Sequence, residues 1–488
     1  MFTGFQRNAF LLISFLLPAV AFAAQPQPLR IAVANAPKTL DAAIATDAAA
    51  ARLLQLTHPA LLGWGPGYRP VGLVAQACGA ENLRSVTCTL RPNARFTDGA
   101  PLTAPAVAAW FTQLQGNPRS PFSGQLKGVG ITAPTSTTLH FALPSPTLGF
   151  VGMLTEVPIA NPASPAAGMG PYHVEAQDTL GNTTLATTQP GLPARLSFMA
   201  LADPTTRLLK LKKGEVDMVL NDLPPQLVQW AQKQGYGVVA VAGTSYTYLT
   251  FNFRNPYLAR SGVREAVALA LNRPAIRKFL LGDMAQPASS ILPPGHPAAW
   301  AAPEEVFDPF TAESTLDDEN LLRGPDNMRF TVTLLVSTDA FVQRLAQVIQ
   351  AQLQGVGINV QLRPVEWAGF YDSVKKGDYD LALLTWTGEQ RPDFYYHLFN
   401  ASQVPPLGFN RGRVDVPQVN RLTLAIRDAP TEAAQNTLAI QLQQTLANVR
   451  PYIPLYRRAH TLVTRPGLTG CALPPSGAYT GLLTCRSP

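Results

Sequence analysis

The stretch FTVTLLVSTDAFVQRLAQVIQAQLQGVGINVQL, residues 330–362, is the clearest strand–helix–strand unit of the chain. Its first seven residues are rich in β-branched and leucine side chains, as is typical of a buried strand. The apolar positions that follow at helical spacing are Phe341, Leu345, Val348, Ile349 and Leu353. Gly357 is predicted to end that helix, and the apolar positions after it alternate as in a strand. Such a unit predicts two parallel strands with a right-handed crossover, and therefore an α/β fold.

Helix start signals occur at other positions of the chain as well, as expected where helices alternate with strands. Thr103 is predicted to cap one helix, Asp203 caps a second that ends at Gly214, and Ser261 caps a third. Residues 285–324 contain many prolines and no apolar periodicity, so they are predicted to form the longest irregular segment.

Length and composition predict a folded chain with more than one lobe. A chain of 488 residues exceeds what one hydrophobic core normally serves, so two or three lobes are expected. Apolar residues make up 46% and charged residues 14%, which argues against disorder. The formal net charge is +7, but the basic residues form no stripe and no nucleic-acid reading module is present. We therefore expect a monomer with no nucleic-acid partner.

The first 23 residues resemble a cleavable secretory signal. Arg7 precedes an apolar run from Phe10 to Phe22 that is too short to span a bilayer stably and ends in a small-x-small pattern at Ala21–Ala23. No cysteine follows the predicted cut, so no lipid anchor is expected. The alternative is a membrane anchor. Cleavage would place the mature chain in the periplasm.

The four cysteines form two local pairs along the chain, Cys78 with Cys88 and Cys471 with Cys485. Four cysteines permit three connectivities, and local pairing is favoured because each pair brackets a predicted hairpin. A disulfide closing a loop of this size stabilises the fold by roughly 3 kcal/mol in the chain-entropy model. Zinc binding is the alternative, but the cysteines and the six histidines lack ligand spacing. No metal and no cofactor is therefore predicted.

Six short segments carry a resemblance to a known protein family. They are FTDGAPLT (96–103), GMGPY (168–172), KGEVD (213–217), LTFNF (249–253), SGVREAV (261–267) and YDLALLTWTGE (379–389). Each segment alone is only a turn or a strand edge. In this order, behind an export signal, they resemble the peptide/nickel class of periplasmic solute-binding proteins that serve ABC importers. The resemblance covers nearly the whole mature chain.

The resemblance implies a bilobal α/β fold, the type II periplasmic-binding-protein architecture, with an additional small α+β lobe. The predicted segments are residues 1–23 for the signal peptide, 24–52, 166–250 and 465–488 for a discontinuous first lobe, 53–165 for the small lobe, and 251–464 for the second lobe. Two crossings, near residues 248–253 and 460–466, are predicted to form the hinge. Ligands of open α/β sheets tend to bind at such a crevice.

The segment after the strand at residues 379–386 implies a ligand site. In peptide-binding relatives, an acidic residue three positions after a tryptophan pairs with the free ammonium of the peptide, and Glu389 holds that place after Trp386. A carboxylate there can form a charge-assisted hydrogen bond in a closed cleft. Thr387 and Gly388 complete the predicted loop. The alternative for Glu389 is a solvated acid paired with Arg391.

Aromatic side chains are the other candidate ligand contacts. Trp386 is predicted to form a wall of a pocket, and the alternative is core packing. Tyr246 and Tyr248 could present hydroxyls and ring faces to a ligand, and the alternative is cross-strand packing. Dipeptide-binding relatives place an arginine before the crossover helix to hold the ligand carboxylate, but residues 335–339 contain none. A dipeptide held at both charged ends is therefore not expected.

The predicted function is capture of a peptide or another amine-bearing solute and its delivery to an ABC permease, without catalysis. One alternative is an exported hydrolase, because Ser373–Lys376 matches the Ser-x-x-Lys pattern of penicillin-recognising enzymes. The accompanying Ser-Asp-Asn and Lys-Thr-Gly elements are absent from the sequence. The other alternative is an exported sensor or chaperone with a binding-protein fold.

Overall fold

A computed structural model describes residues 1, 28–303, 306–386 and 389–486 of the chain. Apart from Met1, the predicted signal segment at residues 1–23 lies outside these ranges, as do Thr387 and Gly388 of the predicted site loop. Within the described ranges, none of the helices combines the length and apolar character needed to cross a membrane.

The first lobe is built on a seven-stranded mixed sheet. In spatial order its strands are His173–Gln177, Thr183–Ala186, Arg195–Ala200, Leu29–Val33, Met218–Leu220, His460–Thr464 and Gly237–Val241. Leu29–Val33 pairs in parallel with both of its neighbours. His460–Thr464, near the end of the chain, is antiparallel to both of its neighbours. The sheet therefore joins strands from the beginning, the middle and the end of the chain.

The second lobe is built on a six-stranded mixed sheet. In spatial order its strands are Ala285–Gln286, Tyr452–Arg458, Tyr246–Phe251, Leu381–Trp386, Phe330–Ser337 and Ile358–Val365. Phe330–Ser337 runs parallel to Ile358–Val365, and the helix Ala340–Gly355 connects them. The predicted strand–helix–strand unit and the α/β class of the fold are thus confirmed.

The small lobe carries a four-stranded antiparallel sheet. Its strands in spatial order are Ala75–Asn82, Ser85–Leu90, Thr138–Ala142 and Gly130–Thr132, and two short hairpins flank it, Leu62–Trp64 with Pro70–Gly72 and Ala160–Asn161 with Ser164–Gly168. Cys78 faces Cys88 across the first pair of strands and is bonded to it. Cys471 is bonded to Cys485 near the end of the chain, so both local disulfides are confirmed.

The described helices surround these sheets. The α-helices are Ala48–Thr57, Ala104–Gly116, Ser123–Leu126, Gly149–Met153, Pro204–Lys212, Pro225–Lys233, Ser261–Ala270, Arg273–Ile276, Pro309–Asp318, Ala340–Gly355, Trp367–Lys376, Phe394–Phe399, Pro417–Arg427 and Glu432–Val449. The remaining turns are the 3₁₀ segments Pro66–Tyr68, Gly282–Met284, Ala401–Gln403 and Tyr479–Thr484 and the π-helical turn Arg277–Leu281.

The chain crosses between the two large sheets at residues 242–245 and at Ala459. The predicted boundary between residues 250 and 251 cuts the strand Tyr246–Phe251, which belongs wholly to the second sheet. The boundary between 464 and 465 assigned His460–Thr464 to the second lobe, although that strand pairs in the first sheet. Both crossings therefore come slightly earlier than the sequence suggested.

The limits of the small lobe also differ from the prediction. The boundary between residues 52 and 53 divides the helix Ala48–Thr57, and the one between 165 and 166 divides the strand Ser164–Gly168. The helix packs with the first lobe through Leu53 and Leu56. The small lobe therefore begins after Thr57.

Two of the resembling segments have plain structural roles. A Cβ at Gly170 would stand 2.1 Å from the carbonyl oxygen of Leu56, so glycine is required where GMGPY passes the end of a helix. Asp217, from KGEVD, accepts hydrogen bonds from the Arg30 backbone and guanidinium and from Arg465 Nε at 2.9 Å. That carboxylate joins three distant parts of the first lobe.

Candidate functional site

A cavity lies against one face of the second sheet, where the strand Leu381–Trp386 ends. About 400 Å³ of empty space lies within its outline, most of it open to solvent, and the enclosed volume is about 20 Å³. The lining residues are Tyr246, Tyr248, Thr250, Ile291, Trp386, Leu398, Phe399, Phe409, Asn410, Arg411, Gly412, Val414, Pro451 and Tyr452. All of them belong to the second lobe, so the first sheet contributes no wall to this cavity among the described residues.

Strand register brings three predicted site residues to this cavity. Tyr246 pairs with Trp386 and Tyr248 with Leu384, so alternate residues of the two strands face the cavity. The Tyr246 and Tyr248 rings lie 5.5 Å apart, and Tyr452 stands edge-on to both. The tyrosines thus pack across strands and line the cavity at the same time.

Trp386 forms the opposite part of the wall. Its ring is edge-on to Phe394 at 5.4 Å and to Phe409 at 5.5 Å. Phe409 is 38% exposed, which places it at the open side of the cavity. The side chain of Trp386 is half-buried, so part of it stays accessible from the cavity.

Glu389 does not line the cavity and lies beside it in a buried cluster of charges. Its Oε1 accepts hydrogen bonds from the backbone N–H groups of Gln390, at 2.9 Å, and Arg391, at 2.7 Å. The side chain is 11% exposed, and burial raises the pKa of this carboxyl to about 8, although the Arg391 charge acts in the opposite direction. Burial therefore favours the protonated form of Glu389 in this state.

Arg391 is the centre of the charge cluster. Its Nε lies 3.8 Å from Glu389 Oε1 and 3.3 Å from Glu156 Oε1, and its Nη1 lies 3.9 Å from Asp393 Oδ2. Glu389 thus pairs with Arg391, as the alternative in the sequence analysis stated, but both side chains are buried and not solvated. Three carboxyl groups share one guanidinium, so the cluster contains more acidic groups than basic groups.

This cluster also joins two lobes, because Glu156 belongs to the small lobe and Arg391 to the second. Nearby, the Tyr68 hydroxyl of the small lobe donates a hydrogen bond to the Pro294 carbonyl at 2.8 Å. The Tyr68 ring also contacts the His296 ring, with centroids 5.2 Å apart. The second lobe therefore meets the small lobe beside the predicted ligand residue Glu389.

Sequence reasoning missed three residues of this region. Arg411 and Tyr452 line the cavity, and Glu156 reaches the cluster from another lobe. Arg411 follows Phe409 and Asn410 in a segment without regular structure, so no periodicity marked it. Tyr452 begins a strand that was not predicted, and contacts between distant lobes leave no local signal.

The other chemical motifs have structural partners. Lys376 of the Ser-x-x-Lys match pairs with Asp372 at 2.7 Å and is 71% exposed, as is usual for a lysine at the surface end of a helix. His397 contacts Gln403 through Nδ1 at 3.0 Å. No group of three potential metal ligands occurs in the part of the chain that the structure describes.

Two lobes joined by two crossings, with a walled cavity at a strand end, define a bilobal binding protein. The model of the bacterial extracellular solute-binding proteins, family 5 (middle), matches residues 70–405. The chain belongs to this family.

Curated relatives and solved structures agree with that assignment. The chain is 24% identical over 424 residues to the probable D,D-dipeptide-binding periplasmic protein DdpA of Escherichia coli K12, covering 81% of this chain and 80% of the relative. It is 25% identical over 511 residues to the glutathione-binding protein GsiB of the same strain, with 95% of both covered. The fold matches NikA from Brucella suis, in complex with Fe(III)-EDTA, with a TM-score of 0.85, 18% identity and coverage of 95% and 100%.

Proposed function

We propose that this protein captures a peptide or a similar amine-bearing solute between its lobes in the periplasm and delivers it unchanged to the permease of an ABC importer. The observation that carries the proposal is the family match over residues 70–405. The relatives named for D,D-dipeptide and glutathione binding support a small peptide as the solute class. The protein itself performs no chemistry on its cargo.

Capture depends on closure of the lobes around the solute. The two crossings at residues 242–245 and at Ala459 are short, so rotation about them moves the lobes as nearly rigid bodies. A solute that contacts both sides only in the closed form shifts the population toward that form. Micromolar affinity, about −8 kcal/mol, is enough for this shift and still permits release.

The aromatic cavity and the Glu389 cluster supply the contacts in this proposal. The cavity takes an apolar side chain of the solute, with Tyr246, Tyr248 and Trp386 as walls. Glu389 receives the ammonium group, and Thr387 and Gly388 of the same loop contact the solute beside it. An arriving cation favours the ionised carboxylate, so binding releases the proton that burial holds on Glu389.

Glu389→Gln tests the amine contact. We expect the affinity for a peptide with a free N-terminus to fall by about tenfold, because a charged hydrogen bond is replaced by a neutral one. Wild-type affinity should also rise between pH 6 and pH 7.5, as Glu389 loses its proton more readily. Isothermal titration with a peptide and its N-acetylated form measures both effects, and equal affinities in the variant and the wild type would refute the contact.

Native mass spectrometry of freshly purified protein tests the function itself. We expect a retained small solute, recovered intact, and a smaller radius of gyration in X-ray scattering when that solute is added back. Cleavage of the solute would favour the hydrolase alternative. A saturating solute that leaves the scattering profile unchanged would refute capture by lobe closure, and failure to recover a permease in a pull-down would favour the sensor or chaperone alternative.

A further inference from the structure

Arg411 is the charged side chain of the cavity in the second lobe. The other lining residues are aromatic, aliphatic or uncharged polar, and no carboxylate is among them. Six of the lining side chains are aromatic: Tyr246, Tyr248, Trp386, Phe399, Phe409 and Tyr452. The cavity therefore combines a largely aromatic wall with one positive charge, which is opposite in sign to the acidic Glu389 cluster.

Aromatic faces fix the position of this guanidinium. Arg411 Cζ lies 4.4 Å from the centroid of the Trp386 ring and 5.7 Å from that of Tyr371. Stacking of this kind holds the flat guanidinium by its face, and one edge N–H group contacts the Tyr248 hydroxyl. The other edge N–H groups remain available as donors. Side-chain entropy lost on ligand binding is small because the arginine is already held in place.

No internal acid neutralises Arg411 among the described residues. The nearby carboxylates have other partners: Asp372 pairs with Lys376, Asp378 with Arg363, and Asp415 with Asn420. A half-buried guanidinium without a carboxylate at an aromatic cavity is suited to an external anion, because pairing there is less screened than at an open surface.

We propose that this cavity binds the carboxylate of the solute, with Arg411 as the anion-binding residue and the aromatic wall around the apolar part of the solute. A planar carboxylate matches the two-donor edge of a guanidinium. The assignment rests on the proposed function. It places the anion contact on the segment around residues 409–412, whereas the stretch before the crossover helix, residues 335–339, offers no arginine.

Two matched pairs of probes test this site. The first pair is the peptide Ala-Ala-Phe and its C-terminal amide, and the second is phenylacetate and phenylacetamide. Titrations use calorimetry for the peptides and tryptophan fluorescence for the fragments. We expect wild-type protein to prefer the acid by about tenfold in at least one pair, equivalent to about 1.4 kcal/mol.

Arg411→Gln is expected to abolish this preference, because the affinity for the acid falls by about tenfold more than the affinity for the amide. Arg411→Lys should retain part of it, because the charge remains without the two-donor edge. The matched control is Arg427→Gln, since Arg427 also stacks on a ring, that of Tyr396 at 4.7 Å, and does not line the cavity.

No preference for the acid in either pair, or a preference that survives Arg411→Gln, would overturn the assignment. These outcomes are separate from failure of the proposed function. If a co-purified solute still contracts the protein in scattering while acid and amide bind equally, solute capture stands and the anion site is refuted. If no solute is retained or contracts the protein, and yet Arg411 confers acid preference, the anion site stands and capture by closure is refuted.

Discussion

At the scale of single residues, burial rather than sequence position decides what the acids of this site can do. Glu389 follows Trp386 at the spacing expected for an amine contact, but the backbone N–H groups of residues 390 and 391 and the shared Arg391 hold it beside the cavity. Trp386, Tyr246 and Tyr248 were predicted from their places at strand ends and line the cavity. Arg411 could not be predicted, because stacking on Trp386 follows from tertiary structure alone.

The pH dependence of stability should report on Glu389. Its pKa in the folded state is about 8, above its ordinary value of 4.5. Between these values the folded protein holds a proton on Glu389 that the unfolded chain has lost. The contribution of Glu389 to stability is therefore fully present below pH 4.5 and is lost as the pH rises toward 8. Glu389→Gln should remove this fall and stabilise ligand-free protein at pH 8 by at least about 1.4 kcal/mol, the value of one pKa unit.

Thermal unfolding of both proteins between pH 5 and pH 8.5 measures this effect. Glu175→Gln serves as the control, because that carboxylate is exposed and paired with Arg195. Parallel pH profiles for the wild type and Glu389→Gln would show that Glu389 is not protonated in the folded protein.

At the scale of elements, local sequence patterns predicted the positions of helices better than the residues that cap their N-termini. The Thr103 and Asp203 caps are present, with hydrogen bonds to Ala106 N and Thr206 N. Ser261 is instead the first helical residue and makes no cap, while Glu319 accepts a hydrogen bond from Gly262 N at 3.1 Å. A cap from another helix has no signal in the local sequence.

Substitutions at these two positions should therefore differ in stability. Glu319→Ala is expected to lower the free energy of unfolding by about 1 kcal/mol, the usual value of a lost cap. Ser261→Ala should change it by less than about 0.5 kcal/mol, as is usual for an exposed position. Urea unfolding followed by circular dichroism compares the two, and a larger loss for Ser261→Ala would contradict the observed capping.

The prediction for residues 285–324 was also wrong in part. This segment contains the helix Pro309–Asp318, capped by Asp308 through Thr311 N at 3.0 Å. Ala312 and Leu316 are its buried residues, too few to create a periodic apolar pattern. The Asp308–Pro309 pair is a helix start signal that the surrounding prolines obscured.

At the scale of the whole molecule, the small lobe and the second lobe meet beside the Glu389 cluster. Tyr68 and Glu156 of the small lobe contact Pro294, His296 and Arg391 of the second lobe. The bilobal class could be predicted because the strand–helix–strand pattern and the resembling segments are local. The crossings were misplaced by a few residues, because strands on either side of a crossing have the same apolar pattern whichever sheet they join.

Weakening these contacts should favour separation of the lobes. In the double variant Tyr68→Phe, Glu156→Gln we expect a larger radius of gyration for ligand-free protein and weaker solute binding, since the closed form loses a hydrogen bond and an ion pair. Small-angle scattering measures the first effect and titration the second. Glu175→Gln, within the first lobe, is the control, and an unchanged scattering profile in the double variant would contradict the expectation.

The place of His460–Thr464 in the first sheet has a consequence for biogenesis. Asp217 and Arg465, which contact each other, are separated by 248 residues. When the chain emerges from its amino terminus, the second sheet is complete once Tyr452–Arg458 has appeared, whereas the first sheet still lacks its strand His460–Thr464. The first lobe is therefore the later of the two to fold, and its unpaired strand edges are exposed to aggregation in the meantime.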